Sequence, residues 1–332
     1  MTSLKHTLKF LSLLSFRKCG NALHIYFSYF RASLFKNVKA SHFPFSFAVE
    51  PSSHCNLQCP ECPVGMGILK RKKGNLALID FQKWIADISK YLINISFYFQ
   101  GEPLLNKEIN KMIRHAVDKK IWTTMSTNAN LIDKKMAEEI VASGLHQLII
   151  SVDAFDKESY ERYRREGDFD KVIEAFTLIK QAKKQQKTTF PKLVAQNLVF
   201  KYNEDKLPQI TEQCKRAGAN SVVFKSPQFY DIENAKEMMS RVKKYQRYTF
   251  EKEKLQQKRK IKNRCFRLWS SSVACWNGDI VPCCYDKDAN YIMGNLQEDT
   301  FTSIWRNTNY KNFRNKVFTQ KSSVDICTNC KG

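Results

Sequence analysis

Three cysteines lie close together in the stretch of residues 50–62, which reads EPSSHCNLQCPEC. They are Cys55, Cys59 and Cys62, and a short apolar run comes directly before them. Thiolates are soft ligands that suit iron–sulfur clusters and zinc. Three thiolates bind only three of the four irons of a cubane, which leaves one iron open for chemistry. The stretch therefore predicts a metal centre, with a structural zinc loop completed by His54 or a distant cysteine as the alternative to a reactive cluster.

Apolar runs of strand length alternate with amphipathic helical stretches across residues 46–235. The predicted strands are 45–50, 95–99, 122–126, 147–152, 193–200 and 221–224. The predicted helices between them are 80–92, 107–119, 133–143, 171–184 and 205–217. This alternation predicts an α/β protein with a parallel sheet and right-handed crossovers. A closed barrel of eight units needs about 250 residues, so we expect a partial (β/α)6 barrel with the three cysteines at the end of its first strand.

Composition excludes several classes of protein. No apolar stretch in the 332 residues reaches the roughly 20 residues of a membrane-spanning helix. Eleven cysteines in so long a chain do not indicate a disulfide-stapled mini-protein. The apolar run 10–16 is too short for a signal peptide, because Arg17 and Lys18 follow it at once. We therefore expect a cytoplasmic protein with reduced thiols.

The chain is strongly basic, with 55 Lys and Arg against 32 Asp and Glu. Residues 1–45 contain no acid, and apolar residues recur there at helical spacing. The cations of this segment are Lys5, Lys9, Arg17, Lys18, Arg31, Lys36 and Lys39. The pattern predicts a basic amphipathic helical extension that suits an anionic membrane surface. The alternative is a helix packed on the barrel with its lysines in solvent. No RNA-recognition signature is present, so no specific nucleic acid partner is predicted.

A second group of cysteines lies near the C-terminus. Residues 236–264 predict a charged helical connector, and residues 265–332 predict a small Cys-rich α+β domain. Cys265 and Cys283 bracket Gly278, while Cys327 and Cys330 form a Cys-x-x-Cys pair. Four thiolates in two pairs suit an iron–sulfur cluster or a zinc ion, and spacing alone favours neither. The remaining cysteines have no assigned role here: Cys19, Cys214, Cys275 and Cys284.

The motif Cys-x-x-x-Cys-x-x-Cys after the first strand of a partial barrel resembles the radical S-adenosylmethionine (SAM) superfamily. The resemblance covers residues 46–235. It implies that Cys55, Cys59 and Cys62 hold a 4Fe-4S cluster whose open iron chelates SAM. One electron then cleaves SAM to methionine and a 5′-deoxyadenosyl radical, which abstracts a substrate hydrogen. The residue before the third cysteine is often aromatic in this family, whereas here it is Glu61.

The resemblance also assigns SAM contacts to the ends of later strands. Gln100-Gly101-Glu102 resembles the family's Gly-Gly-Glu element and implies that Glu102 receives the SAM amino group. The stretch from Ser151 to Asp153 resembles a Ser-x-Asp-Gly element, which implies a ribose contact for Ser151 and loop organisation by Asp153. Polar residues in the fifth predicted strand either face the cofactor or are satisfied core amides. The predicted SAM-binding residues are Gln100, Gly101, Glu102, Ser151, Asp153 and Gln196. Asn128 is predicted to be structural, Tyr160 to pack a helix and Arg164 to be solvated.

With this core, the C-terminal cysteines resemble the SPASM and Twitch domains, which hold auxiliary 4Fe-4S clusters. No cysteine follows Cys330 in the sequence, although a second auxiliary cluster needs more ligands. The resemblance therefore implies one auxiliary 4Fe-4S cluster, with the ligands Cys265, Cys283, Cys327 and Cys330.

Together these resemblances imply an oxidoreductase that abstracts a substrate hydrogen for an oxidation or modification assisted by the auxiliary cluster. A SPASM-type peptide or protein maturase is the alternative. A hypothesis from another class is a non-catalytic iron–sulfur or zinc protein that binds RNA or membrane. The expected partners are an electron donor such as flavodoxin or ferredoxin, and a small-molecule, lipid-linked or peptide substrate. An anionic membrane surface is a further expected partner, which would place the protein peripherally at the membrane.

Overall fold

The computed structural model describes residues 2–35, 38, 40, 42–251, 254–258 and 260–330. The chain divides into two compact units. Unit 1 comprises Met1–His54, Lys70–Thr124 and Lys260–Gly332, and unit 2 comprises Cys55–Leu69 and Met125–Arg259. The predicted cations Lys36 and Lys39 lie outside the described residues.

Strands and helices alternate through the middle of the chain. The strands are β1 (Ser46–Val49), β2 (Asn94–Phe97), β3 (Trp122–Thr127), β4 (Gln147–Ser151), β5 (Lys192–Leu198), β6 (Ser221–Lys225), β7 (Tyr248–Glu251), β8 (Lys254–Gln257), β9 (Ser271–Ala274), β10 (Asp279–Val281) and β11 (Gly294–Asn295). The helices are α1 (Thr2–Ser12), α2 (Phe16–Phe35), α3 (Leu78–Ile85), α4 (Ile109–Asp118), α5 (Lys134–Ala142), α6 (Lys157–Tyr163), α7 (Phe169–Gln185), α8 (Leu207–Ala217), α9 (Ile232–Met238), α10 (Arg267–Ser270), α11 (Phe301–Arg306), α12 (Thr308–Gln320) and α13 (Asp325–Thr328). All six predicted strands are present, with ends within two residues of the predicted ones.

The sheet of unit 1 contains strands from both ends of the chain. Its order is β11-β10-β9-β1-β2, with the first part of β3 belonging to the same unit. Strand β1 is parallel to β2 on one side and to β9 on the other, so that Val49 pairs with both Phe97 and Ala274. Strands β9, β10 and β11 are antiparallel to one another. The Cys-rich tail therefore extends the sheet of the barrel core, which the sequence pattern did not predict.

The sheet of unit 2 is parallel and begins where β3 passes Thr124. Strands β4, β5 and β6 follow in order, and Ser151 at the end of β4 pairs with Gln196 of β5. Leu148, Ile149 and Ile150 are all buried, as in strands covered on both faces. Acidic side chains begin the covering helices, because a carboxylate satisfies free amides at a helix N-terminus. Asp133 accepts the amide of Met136 at 2.7 Å in this way.

The connector 236–264 differs from its prediction. Helix α9 ends at Met238, and strands β7 and β8 then form an antiparallel hairpin in which Tyr248 pairs with Gln257. The helical prediction is wrong here because it followed the charges alone. Tyr248, Thr249 and Phe250 prefer strand conformation, and Tyr248 is buried in the apolar cluster of unit 2.

The tail has its own core in unit 1. Arg314 of α12 is almost fully buried, and its guanidinium lies 4.3 Å from the ring centre of Trp305 and 4.6 Å from that of Tyr310. Its Nε donates to the carbonyl of Leu268 in α10 at 3.1 Å. This contact fixes the chain just after Cys265. Among the described residues, no helix is long and apolar enough to cross a membrane.

Candidate cluster and cofactor site

The three N-terminal motif cysteines lie together on one apolar surface of unit 2. Cys59 is buried, and Cys55 and Cys62 pack partly buried against the same cluster. The amide of Cys62 donates to the carbonyl of Cys59 at 3.2 Å, which bends the loop into a turn. A Cβ atom on Gly65 would lie 2.5 Å from the backbone nitrogen of Cys59, so only glycine permits this close approach. All three cysteines therefore pack against the same apolar cluster.

Hydrogen-bond donors point at the sulfur of Cys55 and, as described below, at that of Cys59. The amide of Leu57 donates to Cys55 Sγ at 3.4 Å, and Asn128 Nδ2 lies 4.0 Å from the same atom. Asn128 also donates to Asn56 Oδ1 at 2.9 Å, in line with its predicted structural role. N–H donors of this kind stabilise thiolates and change the reduction potential of a cluster that the thiolates bind.

Arg164 is the main residue of this site that sequence reasoning missed. Its Nη1 lies 3.9 Å from Cys59 Sγ, and its Nε donates to the carboxylate of Asp153 at 2.7 Å. The side chain is only 15% exposed, so the prediction of a solvated arginine is wrong. Burial raises the pKa of the Cys59 thiol, and the guanidinium of Arg164 opposes that rise. The helical pattern of α6 could not reveal this, because Arg164 follows the end of the helix and turns inward.

Glu61 stabilises the cysteine loop from within. Its Oε2 accepts the backbone amide of Tyr230 at 2.5 Å, just before α9. The side chain is only 4% exposed, and burial raises its pKa. A backbone contact thus explains why a carboxylate stands where the family often has an aromatic residue.

The donor set of this loop fits an iron–sulfur cluster. It offers three soft sulfur ligands, an apolar surround and N–H donors aimed at the sulfurs. Within the described part of the chain, no three His, Cys, Asp or Glu side chains are arranged around a single metal ion. The assignment of the three cysteines as cluster ligands stays a prediction that rests on this donor set.

The predicted SAM-binding residues of unit 1 follow β2. Gly101 has a φ of +73°, and a Cβ there would lie 2.4 Å from the carbonyl oxygen of Ser52. The amide of Glu102 donates to the carbonyl of His54 at 2.7 Å, which holds the motif beside the residue that precedes Cys55. The buried Glu102 carboxylate accepts the amide of Leu104 at 3.1 Å. Gln100 is also buried, and its side chain donates to a neighbouring backbone carbonyl.

The predicted SAM-binding residues of unit 2 lie at the ends of β4 and β5. Ser151 is almost buried and stands beside Gln196 in the strand register. Gln196 Oε1 accepts from Lys225 Nζ at 2.5 Å. Asp153 has a φ of +61° and accepts the amide of Leu198 at 2.5 Å as well as Arg164. Its carboxylate is therefore used as a loop organiser, and its SAM contact stays a prediction, as do those of Ser151 and Gln196.

Asn197 lies beside Gln196 in β5. It is fully buried, and its Oδ1 accepts the amide of Asp153 at 3.1 Å. Its Nδ2 has no hydrogen-bond partner. Only one end of this amide is satisfied, so both interpretations of the polar pair stay predictions.

The four predicted auxiliary ligands all belong to unit 1. The amide of Cys330 donates to the carbonyl of Cys327 at 3.2 Å, which bends the Cys-x-x-Cys pair into a turn. Burial raises the pKa of Cys327 to about 12, and the buried Lys321 opposes that rise. Lys321 Nζ donates to the carbonyl of Arg264 at 3.2 Å. Four soft ligands beside one buried cation suit an anionic iron–sulfur cluster.

The two adjacent cysteines of the tail have different surroundings. Arg267 Nη1 donates to the exposed Cys284 at 3.3 Å. The hydrogen bond with Cys283 lowers the pKa of Cys284 to about 6, with help from Arg267 and Lys287. The same bond and burial raise the pKa of Cys283. The choice of Cys283 as the ligand stays a prediction.

The remaining cysteines are separate from both groups. Cys275 is fully buried in an apolar cluster with Val273 and Val281. Cys214 is buried in α8, where desolvation raises its pKa to about 12, and Cys19 is exposed on α2. These surroundings suit packing or a lone surface thiol.

Two family models match the chain. The model for the radical SAM superfamily matches residues 49–214, and the model for the SPASM iron–sulfur cluster-binding domain matches residues 265–331. Because the first match covers half of the chain, the chain belongs to the radical SAM superfamily. It is an enzyme that uses SAM and a 4Fe-4S cluster, and its C-terminal domain is an iron–sulfur cluster-binding domain. The predicted family, cofactors and α/β class are thereby confirmed.

Similar proteins carry out several reactions. Over 191 residues the chain is 27% identical to the PqqA peptide cyclase of Granulibacter bethesdensis, covering 56% of this chain and 48% of that one. Over 130 residues it is 30% identical to the GTP 3′,8-cyclase of Clostridium botulinum, covering 38% of this chain and 40% of that one. The chain thus spans about half the length or less of these relatives.

Solved structures share the fold. Streptococcus suis SuiB bound to S-adenosylmethionine has a TM-score of 0.63 at 17% identity, over 87% of this chain and 72% of that one. BtrN in complex with AdoMet and 2-DOIA has a TM-score of 0.55 at 18% identity, over 87% of this chain and 94% of that one. The parallel core and the C-terminal domain are therefore a known combination.

Proposed function

We propose that the protein abstracts a hydrogen atom from its substrate and completes an oxidation or modification with one auxiliary 4Fe-4S cluster. When bound, SAM and the core cluster would supply the 5′-deoxyadenosyl radical for this step. The observation that carries the proposal is the second cysteine group, Cys265, Cys283, Cys327 and Cys330, which lies within the residues matched by the iron–sulfur cluster-binding domain. A second redox centre can take the electron that remains after hydrogen abstraction, or it can bind the substrate.

The residues of the chain prepare the site for this chemistry. Cys55, Cys59 and Cys62 would hold the core cluster, and apolar neighbours exclude water from them. Arg164 places a buried cation beside Cys59, which favours the additional negative charge of a reduced cluster. Glu102 would hold the SAM amino group through a charge-assisted hydrogen bond.

A peptide or protein maturase is the second candidate. It is supported by the similarity to a protein named PqqA peptide cyclase, and by fold likeness to SuiB, which has been solved bound to precursor peptide SuiA. The first candidate allows small-molecule, lipid-linked or peptide substrates, whereas the second requires a peptide.

The first experiment tests SAM cleavage. Anaerobically reconstituted, reduced protein should release 5′-deoxyadenosine from SAM, and Cys59→Ala should abolish the release. The control is Cys19→Ala, which removes an exposed thiol that belongs to neither cysteine group. It should behave as wild type. Equal turnover by the two variants would contradict the cluster assignment.

The second experiment searches for the substrate. Metabolites, lipids and peptides are compared between a wild-type strain and a strain carrying C55A, C59A and C62A together. A peptide that lacks two hydrogens or carries a new crosslink only in the wild type would support the maturase. A changed alcohol or lipid-linked compound would support the oxidation of a small molecule.

We also propose a cytoplasmic location and two further partners. The cysteine pattern supports a reducing compartment, because seven of the eleven cysteines are predicted cluster ligands and the chain is not a disulfide-stapled mini-protein. An electron donor such as flavodoxin or ferredoxin would supply the single electron that SAM cleavage needs. An anionic membrane surface would bind the basic N-terminal helices, which places the protein peripherally on it.

A further inference from the structure

The N-terminal helix α2 has two apolar sides, and one of them is packed in unit 1. Ile25 and Ala32 are buried. Asn21 exchanges hydrogen bonds with the backbone of Phe43 at 2.8 and 3.2 Å. The ring of Tyr29 meets that of Trp269 edge-on, with 5.6 Å between the ring centres. Helix α2 is therefore anchored to the Cys-rich tail along this side, as the packed-helix interpretation of the segment expects.

The other side of α2 is apolar and open to solvent. Residues spaced by three, four and seven share one face of a helix. The exposed residues at this spacing are Phe16 (99%), Leu23 (70%), Phe27 (62%), Phe30 (60%) and Leu34 (58%). Ile25 follows Leu23 by two residues, about 200° around the helix, so the exposed stripe lies opposite the buried one.

Helix α1 repeats this arrangement. Leu4, Leu8 and Leu11 are more than half exposed and share one face. Phe10 lies on another side, where its ring packs edge-on against Trp122 at 5.5 Å. We define the exposed stripe of the two helices as Leu4, Leu8, Leu11, Phe16, Leu23, Phe27, Phe30 and Leu34.

The charges around the stripe have one sign. Lys5, Lys9, Arg17 and Arg31 are exposed on the same two helices, and the first acidic residue of the chain is Glu50. A second copy of the chain on this stripe would bring like charges together. Lipid headgroups with negative charge would instead neutralise them, while the acyl boundary would cover the apolar residues.

From these observations we infer that the exposed stripe of α1 and α2 is the surface by which the protein docks on an anionic bilayer. This inference rests on the proposed membrane partner and names the residues that make the contact. The protein lies on the membrane with the other side of α2 still packed on the tail. Removal of the helices would expose Trp269 and neighbouring rings, so exposed-face substitutions are the proper test.

The experiment uses full-length protein and sedimentation with phosphatidylcholine vesicles, with or without phosphatidylglycerol. Wild-type protein should bind the vesicles that contain phosphatidylglycerol, and added salt should weaken the binding. The triple variant L23Q/F27Q/F30Q should lose at least tenfold in binding. Ile79→Gln, an equally exposed apolar residue of α3, is its control and should bind as wild type.

A second pair of variants separates charge from apolar contact. K5E/K9E should bind at least about 25-fold more weakly than wild type, because each of the two cations near an anionic surface contributes about fivefold. K134E/K135E on α5 changes the net charge equally and should have little effect.

Three outcomes would overturn the inference in distinguishable ways. Wild-type protein that ignores both vesicle types would refute the membrane partner. Vesicle binding that L23Q/F27Q/F30Q retains would place the contact elsewhere. A dimer in light scattering that this variant converts to monomer, without vesicle binding, would assign the stripe to a second copy. Release of 5′-deoxyadenosine by the variants, measured in parallel, reports separately on the proposed reaction.

Discussion

Arg71 and Glu50 form a bidentate ion pair inside unit 1, at the end of β1. The guanidinium donates to both carboxylate oxygens, and the Glu50 side chain is fully buried. The amide of Trp276 donates to the same carboxylate at 3.2 Å, and Arg71 Nε donates to the carbonyl of Lys287 at 2.8 Å. The pair therefore links the strand before the cysteine motif to the Cys-rich tail.

Loss of Arg71 should destabilise the fold strongly. Arg71→Ala leaves the Glu50 carboxylate buried without its partner, which typically costs about 3–5 kcal/mol in the free energy of unfolding. Arg216→Ala is the control, because its pair with Glu212 is exposed and such pairs contribute about 0–1 kcal/mol. Urea unfolding followed by circular dichroism measures both. Equal urea midpoints for Arg71→Ala and Arg216→Ala would mean that the buried pair contributes no more to the free energy of unfolding than the exposed one.

The penalty of Arg71→Ala should depend on pH. Burial raises the pKa of Glu50 even with Arg71 present, and Arg71 opposes that rise. Without Arg71 the folded-state pKa should be higher still. Between the unfolded and folded pKa values the native state then binds more protons, so its stability falls as the pH rises. The difference in the free energy of unfolding between Arg71→Ala and wild type should therefore be largest at neutral pH and become smaller in acid. Urea midpoints across the pH range measure this difference. A constant difference would mean that the unpaired Glu50 charge is not its cause.

Removal of Arg164 should lower the reduction potential of the core cluster. A cation 3.9 Å from Cys59 Sγ favours the more negative, reduced state. Arg164→Gln should lower the midpoint by roughly 50 mV, and Arg164→Lys, which keeps the charge, should lower it less. Arg165→Gln, the exposed neighbour, is the control. An EPR-monitored redox titration of the reconstituted protein gives the midpoints. Identical midpoint potentials for Arg164→Gln and Arg165→Gln would mean that the charge of Arg164 does not affect the core cluster.

Local patterns predicted the parallel core but missed the long-range pairing. The six barrel strands are apolar runs, and the helices α5, α6, α7 and α9 begin at capping aspartates, so neighbouring residues carry enough information. Strand β9 is short and contains small and polar residues, such as Ser271. Its partner β1 lies more than two hundred residues earlier in the chain, and nothing in the local sequence encodes that pairing.

In the candidate site, too, local patterns were predicted and long-range contacts were missed. The cysteine spacing is local and predicted the thiol groups, whereas Arg164 and Arg71 act through partners that are distant in sequence. A buried acid immediately after a strand, as Glu50 is, could have prompted a search for a basic partner, because buried charges are rarely left unpaired. The sequence could not say which of the 55 cations it is.

Two variants of Glu102 should separate SAM binding from turn structure. The carboxylate accepts the amide of Leu104, and Glu102→Gln keeps an acceptor oxygen there while it removes the charge. Glu102→Gln should therefore remain near wild-type stability but bind SAM roughly ten- to a hundredfold more weakly. Glu102→Ala should lose SAM affinity as well and unfold about 0.5–2 kcal/mol more easily, as for a lost cap.

Equilibrium binding of SAM to reconstituted protein, together with urea unfolding, measures the two effects. Iron content should stay unchanged in both Glu102 variants. Wild-type SAM affinity in Glu102→Gln would reassign this residue to the turn alone.

The tail should hold one auxiliary cluster, so reconstituted wild-type protein should contain about eight irons in two cubanes. Cys283→Ala should reduce this to about four, because it removes a ligand that interacts with Cys265. Cys284→Ala should keep nearly all of the iron, because this exposed thiol, to which Arg267 donates, is not one of the four predicted ligands. The variant C55A/C59A/C62A should keep about four irons and release no 5′-deoxyadenosine. Iron analysis and EPR of the three variants measure these expectations.

Iron loss in Cys284→Ala with retention in Cys283→Ala would exchange the roles of the two neighbours, because the thiol with the lower pKa would then be the ligand. Zinc in the tail, with about four irons in the whole protein, would remove the proposed electron acceptor and leave only the chemistry of the core cluster.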